Sequence, residues 1–61
     1  MTNKEKTVIN MAKFLHDQSL LLIRKLYDLK LPDETSTCQD LHEQAERLYF
    51  QLLEKLDNKS H

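Results

Sequence analysis

Small and large side chains alternate at heptad spacing down one side of this chain, and they do so twice. In the first half Val8, Ala12, Leu15, Ser19, Leu22, Leu26 and Leu29 advance by steps of four and three. In the second half Cys38, Leu41, Ala45, Leu48 and Leu52 keep the same rhythm. Such spacing holds a narrow apolar seam on one side of an α-helix, and a seam needs a partner helix. Two helices joined by a short link must lie antiparallel, and such a hairpin by itself leaves half of the seam in water.

The order within the seam carries more. One set of positions is small (Ala12, Ser19, Cys38, Ala45) and the other large (Val8, Leu15, Leu22, Leu29, Leu41, Leu48). Small residues facing large ones fill a layer at near-native density, so layers of two small and two large side chains suit four helices. A two-stranded coiled coil more often combines β-branched residues with leucine. The expected fold is all-α: a single hairpin over residues 1–56 that dimerises into an antiparallel, coiled-coil-like four-helix bundle.

Local signals set the expected boundaries. Thr2-Asn3-Lys4-Glu5 fits a capping box, so helix one is expected over about 3–29. Lys30-Leu31-Pro32 forms the link. Proline disfavours helical backbone at Leu31 and suits the first turn of a new helix, where the acidic pair Asp33-Glu34 also belongs. Helix two is expected over about 32–56, with a frayed tail at 57–61.

Size and composition narrow the function classes. Sixty-one residues form one domain at most, below the length at which a lone core is comfortably stable. One cysteine makes no internal bridge and the sequence offers no clustered metal ligands, which leaves oligomerisation as the stabilising device. Cys38 sits at a small seam position and is expected in the core. His42-Glu43 begins like a zinc-protease motif, yet Glu46 stands where the second histidine is required. No metal, cofactor or small-molecule substrate is expected, and no acid–base pair or nucleophile suggests an enzyme. The lone cysteine and the polar N-terminus point to a cytoplasmic protein. No apolar run approaches the ~20 residues of a membrane span.

The formal charge is −1, but it hides a split. Residues 1–30 carry Lys4, Lys6, Lys13, Arg24, Lys25 and Lys30 against Glu5, Asp17 and Asp28, a balance of +3. The second half, with Arg47, Lys55 and Lys59 against seven acids, stands at −4. In a bundle the two halves present different faces.

On helix one a second stripe lies roughly a quarter-turn from the seam. It holds Asn10, Phe14, Gln18 and Lys25, with Asn3 and Leu21 beside it. An aromatic ring, two amides and a cation in line suit structured RNA: amides and lysine bond phosphates and 2′-hydroxyls, and the ring stacks or packs on sugar. If dimerisation sets both first helices side by side, the stripe is doubled and flanked by Lys6, Lys13 and Arg24. Taken alone, these residues favour the plainer alternative, a solvated helix face with one exposed phenylalanine. His42 and Tyr49 lie one helical step from the seam and are expected to flank the core. Phe50 points almost opposite the seam of helix two.

The chain resembles the small plasmid-encoded Rop (Rom) family. The likeness rests on Thr2, Glu5-Lys6-Thr7, Asn10-Met11-Ala12, Phe14, Gln18, Leu20, Leu22, Lys25-Leu26, Leu29, Cys38, Leu41-His42, Ala45 and Leu48-Tyr49. It spans about residues 1–56 without gaps. The resemblance implies a homodimeric four-helix bundle of a plasmid-bearing bacterium that lowers plasmid copy number. Such a protein stabilises the loop–loop complex between an antisense inhibitor RNA and the replication primer RNA. Carried over by position, Asn10, Phe14, Gln18 and Lys25 match the family's RNA-contacting residues, supported by Lys13, Lys6, Lys4 and Asn3.

Four departures stand out. Asn3 occupies a family lysine position, with Lys4 about 100° round the helix. Lys13 keeps the charge of a family arginine, and His16 replaces another, which lowers the expected electrostatic attraction. Lys30-Leu31-Pro32 replaces a short acidic, alanine-containing turn. Turn residues help select among bundle topologies, so the placement of one hairpin on the other stays open. The alternative function is a helical protein-interaction adaptor that engages a basic partner through its acidic second helix.

Overall fold

A computed structural model of the chain describes residues 2–57, with the tail residues 58–61 lying outside the described part. Two helices of equal length run antiparallel: α1, Asn3–Asp28, and α2, Pro32–Asp57. Each holds 26 residues and is therefore about 39 Å long at ~1.5 Å per residue. Helix α1 stops one residue short of Leu29, which becomes its C-cap. Asp57, expected in the frayed tail, closes α2.

Capping fixes the start of α1. The Thr2 hydroxyl accepts from the Glu5 amide at 3.1 Å, and the Glu5 carboxylate accepts from the Thr2 amide at 2.8 Å. Two otherwise orphaned donors are thus satisfied by side chains one turn apart.

The reversal is equally local. Lys30 takes the left-handed conformation at φ 59°, a place usually filled by glycine. Its amide donates to the Tyr27 carbonyl at 3.0 Å, and the Leu31 amide to the Leu26 carbonyl at 3.2 Å. This paired arrangement satisfies the last carbonyls of α1 and turns the chain in three residues. Pro32 then starts α2, where its missing N–H is not needed. The Leu31 carbonyl accepts from both the amide and the hydroxyl of Thr35, at 2.9 and 2.7 Å.

Packing between the helices divides the expected seam in two. The buried residues of α1 are Ile9, Ala12 and Ser19, with Glu5, His16, Ile23 and Leu26 half-buried. Across from them α2 buries Thr35 and Cys38, with His42, Ala45, Tyr49, Leu52 and Leu56 half-buried and Leu53 flanking them at the same burial. These sets keep heptad spacing, but their centre is rotated toward the small side of the seam. The large members face away from the partner helix and stay exposed: Val8 44%, Leu15 56%, Leu22 45%, Leu41 56% and Leu48 44%. The single seam anticipated at Leu15 and Ser19 is two faces that share the small residues as their border. Geometry makes this unavoidable, because the hairpin is one helix thick, 46 × 16 × 10 Å.

Polar groups inside the hairpin are paired. The Ser19 hydroxyl donates to the His16 carbonyl at 2.8 Å and lies 2.7 Å from Nδ1 of His42. The Cys38 thiol donates to the Ser19 carbonyl at 3.6 Å. His16 bridges the helices: Nε2 stands 3.1 Å from a Glu46 oxygen, and Nδ1 3.2 Å from Asp17. The bond to Glu46, then that to Asp17, raises the His16 pKa above its ordinary value of 6.5. Charged imidazolium is favoured in the folded state, so this pair stabilises the fold fully below about pH 6.5. That contribution fades as pH rises through the folded-state value.

Two outcomes follow from these local features. NMR titration of the imidazole signals is expected to place the His16 midpoint above 6.5, and Glu46→Gln is expected to lower it; a midpoint at or below 6.5 contradicts the pairing. Lys30→Gly is expected to stabilise the protein by about 0.5–1 kcal/mol in thermal or urea unfolding, since glycine enters the left-handed region without steric penalty.

Candidate nucleic-acid interface

The surface of α1 divides into three strips once the hairpin is formed. One faces α2. The second is the exposed apolar face of Val8, Leu15 and Leu22, with Met11 beside it at 64% exposure. Between the helices this face opens as a groove whose walls are Leu15, Leu22, Leu41 and Leu48, with Ser19 and Ala45 at its base. Leucines stand above small residues, a relief that accepts the leucines of another helix pair.

The third strip carries Asn10, Phe14, Gln18 and Lys25, all exposed, with Phe14 at 62%. An unbroken α-helix sets them on one line, because steps of four, four and seven residues return to nearly the same bearing. The strip runs along the border of the apolar face. Gln18 and Lys25 line the rim of the leucine groove, with Leu21 between them. Asn10 and Phe14 line a shallower depression with Thr7, Met11 and Leu15. A second hairpin seated on the leucines would therefore lie directly against this strip.

The other residues anticipated for the site are placed differently. Asn3 begins the helix on the same side as the strip. Lys6 and Lys13, with Arg24, form a separate exposed basic line about a quarter-turn beyond the strip, away from the apolar face. Lys4 is exposed on the apolar side of the strip. Lys6, Lys13, Arg24 and Lys25 enter no ion pair among the described residues, so their charges remain available to an anionic partner. Asp17, an acid close to the strip, is hydrogen-bonded to His16.

His16, which stands for a family arginine, lies half-buried against α2, about 160° from Phe14 round the helix. Its identity bears on the contact between the helices, not on the strip. The expectation of no clustered metal ligands needs correction: one donor atom each from His16, His42 and Glu46 lies within 4.8 Å of the others. His16 and Glu46 are 30 residues apart, so no local spacing rule reveals them. Thr7 shares the bearing of Lys25 and so lies on the strip itself, while Met11 stands between the strip and Leu15. Phe50 is exposed and stacks its ring near Tyr49, with centroids 5.6 Å apart.

Comparison with known proteins agrees with this architecture. A family model described as Rop protein matches residues 1–57. Regulatory protein rop of Escherichia coli is 43% identical over 49 residues, covering 80% of this chain and 78% of that protein. No solved structure matches significantly. With this match across nearly the whole length, the chain belongs to the Rop family, whose members are regulatory proteins and not enzymes.

Proposed function

We propose that two copies of this hairpin pack through their leucine faces into an antiparallel four-helix bundle whose paired α1 helices grip a complex of two RNA hairpin loops. In the plasmid-bearing bacterial cell the RNAs are an antisense inhibitor and the replication primer. Holding their loops together favours progress to full duplex, suppresses primer maturation and lowers plasmid copy number. The site of action is the cytoplasm.

The observation that carries this reading is the strip of Asn10, Phe14, Gln18 and Lys25 along the edge of an unsatisfied apolar face. Dimerisation through that face removes the exposed leucines from water, worth about 1 kcal/mol for each half-exposed side chain. The same event brings two strips together across a two-fold axis. A symmetric protein face fits the approximate two-fold symmetry of two paired loops. Amides and lysines reach phosphates and 2′-hydroxyls, and Phe14 supplies a ring for stacking or sugar contact. Lys6, Lys13 and Arg24 add long-range attraction from the flank, with Lys4 and Asn3 near the helix start. So few side chains read shape, not a long sequence.

Sedimentation equilibrium is expected to give twice the chain mass, and Leu22→Glu to yield unfolded or monomeric chain; a folded wild-type monomer sinks the proposal. In gel shifts the protein is expected to retain paired loops, depend weakly on loop sequence and lose affinity steeply with salt. Equal binding to unpaired hairpins contradicts loop–loop recognition. Phe14→Ala should weaken binding about tenfold or more while the dimer melts as before; early melting would make Phe14 a packing residue. Lys25→Glu is expected to abolish RNA binding, whereas an adaptor acting through its acidic α2 would survive that change.

A further inference from the structure

Along the contact between the helices, half-buried His16 and His42 meet exposed Glu46, a group that the proposed RNA strip does not include. His16 projects from α1, while His42 and Glu46 stand one turn apart on α2. A donor atom from each lies within 4.8 Å of the others, and the two imidazole centroids are 4.6 Å apart. We propose that His16, His42 and Glu46 form a zinc-binding site that ties the two helices together.

Hydrogen bonding has already chosen the ligand atoms. The single Ser19 hydroxyl proton goes to the His16 carbonyl at 2.8 Å, so at 2.7 Å the oxygen must accept from Nδ1–H of His42. Neutral His42 therefore carries its lone pair on Nε2, the atom free to ligate. For His16, Nδ1 faces the Asp17 carboxylate and Nε2 faces Glu46. A histidine that gives one ring N–H to a carboxylate or hydroxyl and turns the other nitrogen to the metal is the usual arrangement at zinc sites. Both imidazoles here have that outer partner.

The dimensions fit a tetrahedral ion. Ligands at ~2.0–2.1 Å from zinc stand roughly 3.3–3.4 Å from one another. The edge from His16 Nε2 to Glu46 measures 3.1 Å, and no two of the three donor atoms are more than 4.8 Å apart, so reaching tetrahedral edges takes at most about 1.5 Å, within the range of side-chain torsions. Glu46 is free to make that movement, being 48% exposed against 22% for His16. Its exposure also leaves the fourth position to water. Two imidazoles and one carboxylate favour zinc over magnesium or calcium, which take oxygen ligands. A metal bridging α1 and α2 would staple a chain too short for a substantial core of its own. The site lies on the far side of α1 from Phe14, so it acts on stability and not on RNA contact.

The test uses full-length protein freed of metal by chelation, titrated with zinc chloride. One zinc per chain is expected to bind saturably and to raise the melting temperature by about 5 °C or more in excess metal. In NMR spectra the ring signals of both His16 and His42 should move, and cobalt in place of zinc should give intense tetrahedral visible bands. His16→Arg keeps a cation beside Glu46 and so preserves the pairing between the helices while removing a ligand. It and Glu46→Gln should each weaken zinc at least tenfold and erase the thermal shift. Absence of saturable binding overturns the proposal. So does zinc affinity unchanged in His16→Arg, or binding that leaves the His16 and His42 signals still.

Discussion

Close approach of α1 to α2 rests on small side chains. Ala12 and Ser19 on one helix and Cys38 and Ala45 on the other occupy the border between the helices, where a leucine at any of them would wedge the pair apart. Their smallness lets hydrogen bonds span the gap, among them Ser19 to His42 and the Cys38 thiol to the Ser19 carbonyl. The same smallness leaves the large members of the heptad no room inside. Val8, Leu15, Leu22, Leu41 and Leu48 are turned outward because a layer one helix thick has only one interior side per helix.

That outward turn generates the functional geometry. A leucine face with a base of small residues is complementary to a second face of the same kind, and the polar strip of α1 runs along its edge. The surface proposed to meet RNA and the surface proposed to meet the partner hairpin are neighbours on one helix, spaced by its 3.6-residue turn. In the proposed dimer this adjacency would couple stability to RNA recognition. There, any change that rotates one hairpin against the other would separate the two copies of Phe14 without altering either strip. The turn at Lys30-Leu31-Pro32 bears on this point, since it sets the reach and twist of the reversal through a left-handed lysine.

On the opposite side the chain places polar chemistry at positions that hydrocarbon would also fill. His16, Ser19, His42 and Glu46 satisfy one another across the helices. A polar layer of this kind fixes register, because a shift of α2 by one turn would strand both histidines. Each helix of the pair thus carries an inner polar layer, an apolar face awaiting its complement and, on α1, an outer strip of RNA-type side chains.

Much of this was legible in the residues. Heptad spacing, the capping box at Thr2-Glu5 and the proline after Leu31 determine two antiparallel helices, because each is a local rule whose partners lie within a turn or two. The strip of Asn10, Phe14, Gln18 and Lys25 was legible for the same reason: a regular helix converts spacing directly into bearing. Tertiary structure alone decided which half of the seam each helix gives to its neighbour, and it set His16 half-buried against α2. It also assembled His16 with His42 and Glu46. Those outcomes depend on the rotation of each helix about its own axis, which is set by how side chains on two distant segments fit together and not by the spacing within either one.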